Sequence, residues 1–132
     1  MTTKKTKATF QVTGWDEQPI AEEKGKPKVT KAHVTCTFTG DVTGDGVADY
    51  LMVYPTSDSA TFVGLQQIDG HIDGRKGSVV LQVSGKFEGG VASADWSVAK
   101  DAATGELEGM SGKGGYVSKS DGSAEVTLSY DI

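Results

Sequence analysis

The chain has 132 residues with eighteen Gly, three Pro and one Cys, and a formal net charge of −5. This length suits a single domain with one core, and a lone cysteine excludes the disulfide-stapled secreted class. Hydrophobic residues make up 36 % of the chain, and with glycine added the apolar share is that of an ordinary globular protein, not a disordered one.

The charge is unevenly spread. Residues 1–31 hold seven lysines against four acids, whereas residues 32–132 hold six basic groups against fourteen acids. An acidic body repels phosphate, so nucleic acid is not an expected partner, and the basic lead reads as solvated lysines. The longest apolar run, Tyr50–Tyr54, is far too short to span a membrane. No apolar stretch follows Met1-Thr-Thr-Lys-Lys, so no signal peptide is read and the expectation is a soluble cytoplasmic domain.

In chain order, β-rich runs at 9–13, 29–39, 47–54, 60–72, 78–87, 91–99, 116–119 and 124–132 alternate with turn signals. The turn signals are Asp45-Gly46, Thr56–Ser59, Asp73–Gly77, Glu88-Gly89-Gly90 and Ser120–Ser123, rich in the residues that tolerate positive φ. No segment sustains the i, i+3, i+4, i+7 apolar pattern of a helix. The stretch 101–115 is too glycine-rich for more than a turn or a short strand. The predicted fold is all-β, a small closed antiparallel barrel of about eight strands with no significant helix, because closure removes exposed sheet edges. A sandwich is the second choice.

Period-two alternation assigns the faces. Ala32, Val34, Cys36 and Phe38 oppose Lys31, His33, Thr35 and Thr37; Val79, Leu81 and Val83 oppose Ser78, Gln82 and Ser84; Ala92, Ala94 and Trp96 oppose Ser93, Asp95 and Ser97. The apolar sets read as interior. Tyr50–Tyr54 and Phe62–Leu65 are apolar on both faces, which calls for a covering loop or a second subunit. A homo-oligomer, first of all a dimer, is expected.

Candidate chemistry is sparse. Asp41-Val-Thr-Gly-Asp45-Gly46-Val-Ala-Asp49 has the spacing of a calcium loop, but Thr43 is a poor ligand and Met52 stands where the bidentate glutamate belongs. A bare hairpin tip explains the segment better. His33 and Cys36 point to opposite faces and form no dyad. His71 with Asp69 and Asp73 reads as a solvated strand end, and three His and Cys residues in all are too few for a zinc site without carboxylates. No metal or cofactor is expected. What remains is the barrel interior, where a few polar groups in an apolar wall describe a small-molecule site. The residues expected to line it are Trp15, Cys36, Phe38, Tyr54, Phe62, Gln66, Val83 and Trp96. If the protein is an enzyme, Asp49 is the expected general base and Tyr50 the hydrogen-bond donor of an isomerase or cyclase. Otherwise the chain binds a small apolar molecule or serves as an oligomeric interaction protein.

Several blocks carry a family likeness: Thr13-Gly-Trp15-Asp-Glu, Thr37-Phe-Thr-Gly-Asp41, Asp49-Tyr-Leu-Met52, Phe62-Val-Gly-Leu65, Ser78-Val-Val-Leu-Gln82, Phe87-Glu-Gly-Gly-Val-Ala92 and Gly105-Glu-Leu-Glu-Gly109. In these the chain resembles a bacterial domain-of-unknown-function family, DUF3224, with an allene-oxide-cyclase-like barrel. The resemblance implies an oligomeric eight-stranded antiparallel barrel with no agreed activity, in a fold group that includes cyclases. The family pattern has glutamine at 36, glutamate at 49 and 66, and histidine at 83, where this chain has Cys36, Asp49, Gln66 and Val83. An acid–base network implied by those positions has lost its histidine and one carboxylate here.

Overall fold

The computed structural model describes residues 3–119 and 121–132. It contains nine strands: β1 (Lys4–Ala21), β2 (Lys28–Gly40), β3 (Val42–Thr56), β4 (Ser59–Ile72), β5 (Arg75–Glu88), β6 (Val91–Val98), β7 (Thr104–Gly105), β8 (Ser111–Ser118) and β9 (Ser123–Asp131). Each long strand pairs with its sequence neighbour, β9 returns to β1, and the β4–β5 ladder completes the ring. The result is a closed up-and-down antiparallel barrel of eight strands, with the two-residue β7 laid against the start of β5. Among the described residues no helix is long and apolar enough to cross a membrane.

The tight turns follow the sequence signals. Asp73 and Gly74 link β4 to β5 and both have positive φ, as do Gly89 and Gly90 between β5 and β6. Mirror-image turns of this kind match the right-handed strand twist. Of the Ser120–Ser123 turn, Ser120 lies outside the described residues, as do Met1 and Thr2 of the chain start; Asp121 Oδ1 accepts from the Ser123 amide at 3.0 Å.

Two expectations are corrected. Asp45-Gly46 is no hairpin tip, and 41–49 is no calcium loop, because β3 runs straight through it. Asp45 and Asp49 share the outer face, but four extended residues set them about 13 Å apart, too far to converge on one ion. Gly46 is instead an inner-face position paired with Cys36 and Ile68, where a Cβ would meet Phe38, Cys36 and Gln66 within 2.7 Å. The reversal falls at Gly40, whose φ of 111° suits only glycine, and Asp41 Oδ2 accepts from the Lys7 amide at 2.9 Å. The second correction is β1, which far exceeds the expected 9–13. It pairs with β9 over Lys4–Gln11 and with β2 over Ala8–Ala21. Pro19 is tolerated because it lies beyond the β9 ladder, where the strand has a free edge.

The alternating apolar residues form the core as expected, with Ala32, Val34, Cys36, Phe38, Val79, Leu81, Val83, Val126, Leu128 and Tyr130 all buried. The two ends of the barrel differ. The segment between β6 and β8, read as a turn or a short strand, holds the short β7 and is pinned to β5 by Glu106, whose amide donates to Lys76 O and whose Oε1 accepts from the Lys76 amide. This hold drives Leu107 and Met110 into the core beside Gly77, closing that end. On the outer surface, Leu51, Val63 and Leu65 are 52 %, 54 % and 50 % exposed, Leu51 and Val63 directly paired across β3 and β4.

Leu107 is fully buried without belonging to any long strand, so Leu107→Ala leaves a void at the closed end. The expected loss is about 2–5 kcal/mol, read from the urea midpoint with an unchanged slope.

Candidate functional site

At the end opposite Leu107 the interior opens into a cavity of about 480 Å³. Its walls come from alternate inward positions of several strands: Phe10 and Val12 on β1, Val34 and Cys36 on β2, Tyr50 and Met52 on β3, Phe62 and Gln66 on β4. Phe87 and Tyr116 add the facing wall, and Trp15, Ala92, Lys119 and Gly122 stand at the mouth. Lys119 is the one charged residue of this lining among the described residues, and its Nζ lies 3.4 Å from Glu125 on the outside.

Of the residues expected to line the interior, Trp15, Cys36, Phe62 and Gln66 do so, and Tyr50, expected as a hydrogen-bond donor, lines it as well. Phe38, Val83 and Trp96 are buried but stand behind the lining as filled core. Trp96 packs on Tyr116 with ring centroids 5.5 Å apart and donates from Nε1 to Thr127 O at 3.3 Å. Tyr54 faces an adjoining depression beyond the mouth.

Asp49 is the main correction. It was expected as a base inside the barrel, yet it points outward and pairs with His33 Nδ1 at 2.8 Å, both side chains about half exposed (53 % and 51 %). The reason is parity: Tyr50 and Ala48 face inward, so the residue between them faces solvent. The four positions 36, 49, 66 and 83 therefore do not meet. Cys36 and Gln66 share the space over Gly46, whereas Val83 lies on β5 opposite Gly64.

The interior polar groups stay neutral. Burial pushes the Cys36 thiol up to about 11, offset only in part by the Gln66 amide. Burial likewise raises Tyr116 to about 12 and Tyr50 further still, Tyr50 also feeling the Tyr116 hydroxyl. The Tyr50 and Tyr116 hydroxyls lie 3.2 Å apart. Gln66 donates from Nε2 to Gln67 O at 2.8 Å.

Sequence reasoning missed Glu17. Past the irregularity between Val12 and Gly14, β1 sets Glu17 opposite Ala32, an inward position. There it accepts from Thr30 and from Tyr54, each at 2.6 Å on Oε2, and from Trp15 Nε1 at 3.1 Å on Oε1. Burial raises its pKa, but the hydrogen bonds from Thr30, Tyr54 and Trp15, with the Lys28 charge, together hold it below the ordinary value. Tyr54 is pushed up to about 12 by burial and by that carboxylate. Glu17 thereby ties the Trp15 indole to the mouth. No signal in the sequence singled it out, since its donors arrive from β2 and β3.

Fold and site together define an up-and-down antiparallel β-barrel with a largely apolar cavity towards one end. The pattern of the family described as protein of unknown function (DUF3224) matches residues 6–130, and the chain belongs to that family. A crystal structure of a DUF3224-family protein of unknown function from Shewanella oneidensis MR-1 has the same fold, with a TM-score of 0.79 and 23 % identity. The alignment covers 99 % of this chain and 98 % of that one. No curated protein matches the chain.

A carboxylate held below its unfolded value stabilises the fold fully above the ordinary carboxylate range and loses that contribution as pH falls through the lowered value. Glu17→Gln is therefore expected to lower the melting temperature near pH 7. The gap to the parent protein should shrink towards about pH 3, as thermal scans across that range would show.

Proposed function

We propose that the protein binds a small hydrophobic or amphipathic molecule inside the barrel, entering past Trp15 and Ala92. The observation that carries this reading is a cavity of about 480 Å³ with an aromatic and aliphatic wall, within the range of roughly 300–1,000 Å³ typical of small-molecule sites. Binding is favoured over the cyclase reading because Asp49, the acid that reading relies on, lies outside the barrel beside His33. The test is titration with the neutral fluorophore N-phenyl-1-naphthylamine. Saturable emission enhancement at one probe per chain is expected, and Ala92→Trp, which narrows the mouth, should weaken it at least tenfold. No saturable binding by the folded parent protein would overturn the proposal.

A second element of the proposal is subunit pairing through β3 and β4, supported by the exposed row of Leu51, Val63 and Leu65. Burying such a row against its own copy removes apolar area that solvent otherwise meets. Sedimentation velocity is expected to give a dimer for the parent and a folded monomer for Val63→Lys. A monomeric parent at high concentration would refute the seam.

A further inference from the structure

The cavity holds an unused hydrogen-bond donor. Tyr50 lies on β3 and Tyr116 on β8, which stand opposite each other in the ring of eight strands. Their hydroxyls meet across the lumen at 3.2 Å and have no other hydrogen-bond partner among the described residues. Two phenols bring two O–H protons, and one suffices for the bond between them. The second proton has no acceptor among the described residues, although both side chains are more than nine-tenths buried (6 % and 7 % exposed). A buried donor without an acceptor is costly, so the site favours a molecule that supplies one.

The rings are held so that this donor stays in place. Tyr50 packs against Phe62 with centroids 5.0 Å apart, and Tyr116 lies edge-on to Phe10 at 5.1 Å. The surrounding groups offer no countercharge. Asp49 faces solvent, the Cys36 thiol is neutral, the Gln66 amide is tied to Gln67 O, and Lys119 sits at the mouth beside Glu125. An ionised ligand group at this depth would be desolvated without a partner.

Resting on the binding reading above, we infer that the ligand is a neutral molecule that presents a carbonyl or ether oxygen to the Tyr50–Tyr116 hydroxyl pair. Removing one hydroxyl leaves the other O–H free to donate, so either single change to phenylalanine is tolerated. Removing both abolishes the interaction while leaving the apolar wall intact.

Three naphthalene probes of similar shape test this, read by displacement of N-phenyl-1-naphthylamine: 2-acetylnaphthalene, 2-isopropylnaphthalene and 2-naphthoate. The Tyr50→Phe/Tyr116→Phe double variant is expected to bind the ketone about five- to tenfold more weakly than the parent does, the range of one ordinary hydrogen bond. It should bind the hydrocarbon and the fluorophore as the parent does. The ketone's carbonyl stretch, lowered in the parent complex, should return to its apolar-solvent frequency in the double variant. Naphthoate should bind the parent more weakly than the ketone. If the double variant holds the ketone as well as the parent, or the parent prefers naphthoate, this inference fails while the binding reading stands. If the parent binds neither the fluorophore nor any naphthalene, the binding reading fails and this inference with it.

Discussion

Backbone pairing around a closed ring is the constraint on which the rest of this structure depends. Once β4 and β5 zip along their whole length and β9 returns to β1, the eight-stranded wall has no way to flatten. Every second residue must then look into the same small space. Inward positions are chosen by parity, not by chemistry, and this is why Tyr50 meets Tyr116 across the lumen while Asp49, one residue earlier, faces water with His33. Core, cavity and exterior are three consequences of one set of ladders.

What distinguishes the two ends is the material laid over them. The connection between β6 and β8 tucks Leu107 and Met110 into one end and fills it. At the other end β1, β2 and β3 carry Trp15, Glu17, Thr30 and Tyr54, which bond to one another at the rim instead of filling the interior. Side chains on the inner face there are also large but tethered to the wall by ring packing, as with Phe10 against Phe38 and Tyr116. The space they leave is apolar because their edges line it.

Charge follows the same division. Close ion pairs such as Lys119–Glu125 and Lys86–Glu88 are solvent-exposed and contribute little to stability. The exception is Glu17, whose partial burial is compensated by three donors so that it remains ionised beside a cavity of neutral groups. The Tyr50 and Tyr116 hydroxyls and the Cys36 thiol within the barrel keep their protons because burial penalises the charged forms.

The residues alone determined the class of fold and most of the interior. Alternation at Ala32–Phe38, Val79–Val83 and Val126–Tyr130 is a local property of extended backbone, and the Gly89-Gly90 and Asp73-Gly74 pairs supply the positive φ their reversals need. Cys36 was legible as interior for the same reason, whereas Trp15, Phe62 and Gln66 were named as lining from their side-chain chemistry. Only the tertiary structure decided that Asp45-Gly46 lies within a strand, because Gly46 is required there by Cys36, Phe38 and Gln66 from neighbouring strands. Nor could the residues show that Phe38, Val83 and Trp96 are filled core, that Glu17 gathers donors from β2 and β3, or that Tyr50 has a partner sixty-six residues away. Such features depend on cross-strand register and on which strands stand opposite, and both are set by closure of the whole ring.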